Sequence, residues 1–340
     1  MSIKSTFINV AAYFGAYQLG RVITCKIPKI LMYHRFSEHP RLGYMHAEMF
    51  ERQVRYLKKN FNVLSMGEVL NYYDMKRKYP VNTIVLTIDD GYKDFYEIAF
   101  PILKQENVAA TFFITTKFVD GGFWLWPDRL RYILEHSNAV DLAAKYGGLK
   151  VSHNDMHDEE RNNVWAMLVA YLLSISEKHK IQWINSFAEQ QNVNVPDSPM
   201  NNFSAVNWAQ VREMHESVIE IGAHTRTHPS LGKVAYENLA SEIKGSVEDI
   251  KSQLGWAPIS FCYPNGQPND FNVAVKNHVE NAGCRGAVTA FYDQYLIDDI
   301  YALRRFDGGG SWKRFIKVAN GIEALAAKLL SASTANYRAS

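Results

Sequence analysis

The chain has 340 residues, enough for one α/β barrel with an insertion, and 47% of them are hydrophobic. Its 37 Lys and Arg nearly cancel its 35 Asp and Glu, leaving a formal net charge of +2, so no broad positive field exists to hold a nucleic-acid backbone. The three cysteines, Cys25, Cys262 and Cys284, fit neither a zinc-knuckle nor a disulfide spacing and read as ordinary buried thiols of a reducing compartment.

Residues 1–28 read as an N-terminal apolar helix. The stretch from Phe7 to Ile23 is aromatic-rich but too short and too polar to span a bilayer, and one early lysine without a small-x-small site matches a secretory leader poorly. Phe7, Val10, Ala11 and Phe14 recur at helical spacing, which suits a helix lying on a membrane surface and equally suits one docked on the body of the protein.

From residue 29 to about residue 320, short β-rich runs alternate with amphipathic stretches, the pattern of a parallel sheet flanked by helices. Strands are predicted at Ile30–His34, Thr83–Ile88, Ala109–Thr115, Val218–Ala223, Ile259–Tyr263 and Gly286–Ala290. Helices are predicted around Phe50, Val54 and Leu57, then over Tyr92–Gln105, Tyr236–Leu254 and Phe271–Ala282. The alternation breaks at about residues 119–206, where Gly121-Gly122 opens an inserted subdomain that reads as helical, including Asp158–Gln191, and closes in a Pro/Asn-rich loop. Residues 321–340 read as a C-terminal helix and tail. Five of the seven tryptophans lie in or beside the insertion; Trp124 and Trp126 are the ones expected to offer a stacking face to a sugar, although tryptophans at helical spacing are more often core.

Four segments carry chemistry. Leu31-Met32-Tyr33-His34 is an apolar strand ending in a titratable group. Thr87-Ile88-Asp89-Asp90-Gly91-Tyr92 sets two carboxylates at the C-terminal end of a strand, where a parallel α/β fold opens its reaction crevice. Adjacent carboxylates repel unless a cation or proton is shared, although one of the pair could instead cap the following helix. His224-Thr225-Arg226-Thr227-His228 follows another strand and puts two imidazoles within reach of one metal ion; alone, such a pair could also be satisfied core or surface histidines. Phe261-Cys262-Tyr263-Pro264-Asn265-Gly266 runs a strand into a turn that can aim the Asn265 N–H at a developing oxyanion, or serve as an ordinary loop.

In order, Thr87–Tyr92, His224–Leu231 and Phe261–Gly266 resemble the motifs of the polysaccharide deacetylases, the NodB-homology group of carbohydrate esterase family four, over Ile30 to about Phe306 without the insertion. The resemblance implies a distorted (β/α) barrel that removes acetyl groups from N-acetylated sugars with a divalent metal. By position, Asp90, His224 and His228 would be the metal ligands and Asp89 the general base, with the Asn265 N–H helping to hold the oxyanion. No histidine follows Gly286, where many members keep their general acid, so the chain resembles the circularly permuted exopolysaccharide deacetylase branch, in which the strand bearing the acid comes first. His34 is then the acid. Cys262 occupies a position where many members carry an arginine that orients the catalytic Asp; Arg305, in Leu303-Arg304-Arg305-Phe306, is expected to replace it from another strand.

Zinc suits two imidazoles and a carboxylate best, and cobalt, nickel or iron can take the same donors. The expected partner is an N-acetylated glycan, with peripheral membrane contact through the N-terminal helix and a cytoplasmic location beside the inner membrane; export through an atypical leader is the competing expectation. The competing functions are hydrolysis of a different amide or of an O-acetyl group at the same site, and a catalytically silent glycan-binding protein.

Overall fold

The structure is a computed structural model and describes residues 15, 17–137, 139–141, 150–152, 158–293 and 298–325. Strands β1 (Lys29–Tyr33), β2 (Phe36–Ser37) and β3 (Met45–His46) lead into helix α1 (Ala47–Asn60), followed by β4 (Asn62–Leu64), α2 (Met66–Asp74), β5 (Thr83–Ile88), α3 (Phe100–Glu106) and β6 (Ala110–Ile114). The insertion supplies α4 (Trp126–His136), the hairpin β7 (Ala139–Asp141) and β8 (Lys150–Ser152), α5 (Asp158–Ser174) and α6 (Glu177–Gln190). After it come α7 (Trp208–His215), β9 (Ile219–Ala223), α8 (Tyr236–Leu254), β10 (Ser260–Cys262), α9 (Val273–Asn281), β11 (Gly286–Val288), β12 (Phe306–Asp307) and α10 (Trp312–Ala319).

Eight strands form one sheet in the order β11-β10-β9-β6-β5-β1-β12, with β4 on β5, and every pairing in it is parallel. A parallel bridge between Val288 and Leu303 joins β11 to the segment entering β12, so the sheet curls back on itself as a distorted (β/α) barrel. Strand β5, the run Thr83–Ile88, is buried along its whole length, as a parallel strand covered on both faces must be.

Side chains alternate between two cores. Leu31, Tyr33, Ile84, Leu86, Ile88, Ile219, Ile221, Ala223, Phe261, Tyr263 and Phe306 pack outward against the helices. Ile30, Val85, Phe113, Cys262 and Val288 pack together on the opposite face, inside the curl. The insertion has its own core, built from Trp126, Leu130 and Ile133 of α4, Leu168 and Leu172 of α5, and Ile184 and Phe187 of α6.

The predicted strands agree with the observed ones to within two residues at either end. Helix Tyr92–Gln105 becomes helical at Lys93, one residue late, and its segment Phe95–Ala99 is wound as a π-helix. The returning insertion meets this start: Tyr92 pairs with Ala205, and the Lys93 N–H, which has no partner inside the helix, donates to the Ser204 carbonyl. Strands β4 and β12, too short to show a period, and helix α2 were not anticipated; α2 is announced by a Ser65–Glu68 capping box. The insertion is also not purely helical, since β7 and β8 pair antiparallel with Val140 opposite Val151.

Most of the expected N-terminal helix, residues 1–14 and 16, and most of the expected C-terminal tail, residues 326–340, lie outside the described residues. Residues 17–23 are helical and docked: Tyr17 packs on the main core, and a Cβ on Gly20 would lie 2.9 Å from the Asn320 carbonyl oxygen. The other side of this helix leaves Leu19, Val22 and Ile23 exposed.

Candidate active site

Strand alternation selects the groups that converge. With Leu86 and Ile88 outward, Val85, Thr87 and Asp89 face inward; by the same parity His34, His224, Cys262 and Arg305 face inward from four other strands or strand extensions. Of these, His34, Asp89, His224 and Arg305 line one cavity of about 490 Å³ at the C-terminal ends of the strands, together with Asp90, His228 and Asn265.

Asp89 is the most closely held of them. Arg305 reaches it bidentately, Nη1 to Oδ1 at 2.7 Å and Nη2 to Oδ2 at 2.6 Å, while donating also to the Thr87 hydroxyl and the Thr289 carbonyl. His34 Nε2 lies 3.7 Å from Asp89 Oδ2 on the exposed side. Burial pushes the Asp89 carboxyl up, but the charge and hydrogen bonds of Arg305 outweigh it and hold the carboxyl below its ordinary range, that is, ionised.

Cys262 is not the ordinary thiol that its sequence context suggested. Its Sγ accepts from Arg305 Nη2 at 3.1 Å and donates to Asp89 Oδ2 at 3.4 Å, so it closes a three-membered buried network. Burial, with Asp89 opposing the Arg305 charge, pushes the thiol well up and keeps it protonated. Parity was the available signal, because Phe261 and Tyr263 point outward and the residue between them must point in. Cys284 is a buried free thiol, and Cys25 is partly exposed.

Next to this network, Asp90, His224 and His228 form a possible metal site. His224 Nε2 and His228 Nε2 lie 3.3 Å and 3.2 Å from Asp90 Oδ1, and the three ligand atoms fall within 4.8 Å of one another. His224 turns its Nδ1 to the Cys262 carbonyl at 2.7 Å, which fixes the proton there and leaves Nε2 as a lone-pair donor. Burial raises the Asp90 carboxyl, but the two histidine side chains beside it outweigh that and hold it well below the ordinary range. These donors fit a divalent cation: one carboxylate and two correctly turned imidazoles, all buried, with the cavity open on the remaining side.

The backbone is bent to present them. Asp90, Thr225, His228 and Asn265 all have positive φ, at 80°, 64°, 57° and 57°. The His224–His228 turn is pinned from outside: the Thr225 hydroxyl accepts from the His228 N–H, Glu242 of α8 accepts from the Arg226 and Thr227 N–H groups, and Arg226 pairs bidentately with Asp249. At the neighbouring turn, Asn265 faces the cavity and Gly266 passes so close to Ala290 that a Cβ would lie 2.6 Å from its nitrogen.

The insertion completes the wall. Asp128, Arg131 and Trp165 line the cavity beside Arg35, which follows β1, and Arg41, which lies between β2 and β3. Asp128 accepts from the Tyr92 hydroxyl at 2.7 Å, and burial, only partly offset by Arg35, pushes its carboxyl up to about 6. Trp124 and Trp126 do not offer a stacking face here. Trp124 packs on Tyr132 and Phe203, Trp126 is buried in the insertion core, and both border a separate cavity of about 930 Å³. Trp165 is the tryptophan at the site, and its place in the middle of α5 gave no sign of that.

A curled parallel α/β barrel with one carboxylate and two imidazoles gathered beside a second carboxylate, itself held by a guanidinium, defines a class of hydrolase-like barrels with a candidate metal site at the rim. The chain belongs to the polysaccharide deacetylase family, whose model matches residues 76–287. It is 28% identical over 161 residues, 45% of this chain, to the poly-beta-1,6-N-acetyl-D-glucosamine N-deacetylase of Staphylococcus aureus (strain MRSA252), and spans 53% of that protein's length. Among solved structures, IcaB from Ammonifex degensii superposes with a TM-score of 0.56 at 16% identity, covering 86% of this chain and 97% of that one. The de-N-acetylase from Aggregatibacter actinomycetemcomitans gives 0.54 at 19% identity, covering 86% and 99%. These likenesses establish the barrel fold. The matched family segment contains the Asp89-Asp90 and His224–His228 motifs but neither His34 nor Arg305.

Proposed function

We propose that the chain is a metal-dependent de-N-acetylase, hydrolysing the acetamide of an N-acetylated sugar in a polysaccharide or a glycan biosynthetic intermediate and releasing acetate. The observation that carries this reading is the pairing of a base with a cation site: Asp89, held ionised by Arg305, lies directly beside the Asp90, His224 and His228 donor set. A glycan-binding protein would have no use for such a base. The likeness to the poly-beta-1,6-N-acetyl-D-glucosamine N-deacetylase of Staphylococcus aureus supports an N-acetylglucosamine-type ring.

A divalent cation on Asp90, His224 and His228, zinc by donor type with cobalt, nickel or iron as substitutes, would supply Lewis acidity to the acetamide carbonyl. Asp89 accepts the proton of the attacking water, with Arg305 fixing the direction of its lone pairs. The Asn265 N–H is the donor proposed for the oxyanion. His34, 3.7 Å from Asp89 on the cavity side, protonates the departing amine.

For location, the exposed Leu19, Val22 and Ile23 support peripheral contact with the cytoplasmic face of a membrane, and among the described residues no helix is long and apolar enough to cross one. Fractionation of the tagged protein tests this, since release into the medium would favour export.

The test of function is acetate release from chitooligosaccharides and acetylated surface-glycan intermediates before and after chelation, with zinc or cobalt restored. Metal-dependent release is expected, with Asp90→Ala and His228→Ala losing bound metal and Asp89→Asn keeping it without turnover. No release from any acetylated sugar by fully metal-loaded protein would overturn the reading.

A further inference from the structure

The cavity wall supplied by the insertion and the chain between β1 and β3 carries positive charge that the proposed chemistry does not use. Arg305 is committed to Asp89, and Arg35 lies between Asp94 at 2.7 Å and Asp128 at 4.0 Å. Two further guanidinium groups face the same cavity and, among the described residues, neither has a carboxylate within 4.0 Å, although Asp128 attracts Arg131 from farther off and Glu135 shares the wall. Arg131 of α4 lies over the Trp165 ring, 4.4 Å from its centroid, and donates from Nη1 to Asn162 Oδ1 at 2.9 Å. Arg41 lies over the Tyr44 ring at 4.4 Å. Each is thus oriented by an aromatic face and keeps its charge and most of its N–H donors for something else.

Building on the deacetylase reading, we infer that Arg131 and Arg41 form an anion subsite that selects N-acetylated sugars bearing a phosphate or carboxylate group near the acetamide-bearing ring. The physical logic is charge accounting. A neutral glycan offers the half-buried Arg131 and the exposed Arg41 only neutral acceptors as it fills the cavity, whereas a phosphate or carboxylate accepts from a guanidinium bidentately. Pre-stacking also lowers the entropy lost when the ligand arrives. Both groups lie outside the catalytic set, so they act on which substrate is chosen and leave the bond-breaking step to Asp89 and His34.

The test compares kcat/KM for acetate release by the metal-loaded full chain from three substrates: a neutral N-acetylglucosamine oligomer, UDP-N-acetylglucosamine as the phosphate arm, and an oligosaccharide alternating N-acetylglucosamine with uronic acid as the carboxylate arm. One anionic arm is expected to exceed the neutral oligomer by about tenfold or more at low salt, and the advantage should shrink as ionic strength rises. Arg131→Gln and Arg41→Gln should each cut the anionic-to-neutral ratio by about 10- to 100-fold, the loss of one charge-assisted contact. The arm that wins identifies the source of the anion. The salt series on the unmutated protein keeps the test decisive if a variant misfolds. A neutral oligomer that equals both anionic substrates, or a ratio insensitive to salt and to both substitutions, overturns the subsite while leaving the deacetylase reading standing; no acetate from any of the three overturns both.

Discussion

Arg305→Met isolates what the Arg305–Asp89 pair contributes. The two side chains are 0% and 3% exposed, so water cannot replace the guanidinium once it is gone. Removing one partner of such a buried pair leaves an uncompensated charge, at a cost of about 3–5 kcal/mol. In the parent protein the Asp89 carboxyl is lowered, so its contribution to stability is present above the ordinary value of 3.8 and is lost as pH falls through the lower folded value. In Arg305→Met burial acts without its counterweight, the carboxyl moves up, and the variant should gain stability relative to the parent as pH drops from 7 toward 4. The assay is urea unfolding of chelated protein at pH 7 and pH 5, with Asp89→Asn/Arg305→Met as the companion. The double variant buries no unpaired charge and should recover most of the loss, less about 1 kcal/mol for each donor that Thr87 and Thr289 forfeit. A single variant within about 1 kcal/mol of the parent, or a double variant no more stable than the single, would refute the reasoning.

Three further outcomes follow from the geometry. His34→Ala should retain bound metal and lose turnover by about 10²–10⁴-fold, the range for one general acid, whereas near-parental turnover would make His34 a bystander. Asp128, raised from 3.8 to about 6 by burial, destabilises the fold increasingly as pH climbs through that interval. Two pH units correspond to about 3 kcal/mol, so Asp128→Asn should gain up to that much on the parent between pH 4 and pH 8 in denaturant melts; a difference that stays flat with pH would contradict the burial argument. Gly222→Ala would place a Cβ 2.3 Å from the Phe113 ring inside the barrel, and a lower thermal midpoint, equivalent to about 1–3 kcal/mol, is the expected result.

The barrel was legible in the sequence because its central strands are buried on both faces. Thr83–Ile88 reads as an uninterrupted apolar run in either setting, and its predicted and observed limits coincide. The candidate metal donors were legible for a related reason: Asp89-Asp90 and His224–His228 each follow such a run, so strand ends located the carboxylates and imidazoles together. Elements whose existence depends on distant partners were not legible. β12 is two residues long and exists because Leu31 and Met32 of β1 pair with it. The insertion's share of the cavity was hidden as well, since nothing local distinguishes Trp165, which reaches the site, from Trp126, which fills a core only one helix away.

The exchange between Cys262 and Arg305, expected from the resemblance, depends on the curl of the sheet. Sequence order separates them widely, but in a curled sheet the inward positions of β10 and of the segment entering β12 point at the same place. Cys262 is small enough that Arg305 can extend across the interior, contact its sulfur at 3.1 Å and still meet Asp89 end-on. A longer side chain at position 262 would occupy the path that Arg305 takes. The strand order makes the orienting cation a property of the ring as a whole: any inward position near Asp89 can supply it, provided the others stay short. A departure from the expected motif at Cys262 thus leaves Asp89 paired with a buried guanidinium, and the residue that supplies it lies outside the segment that carries the family signature.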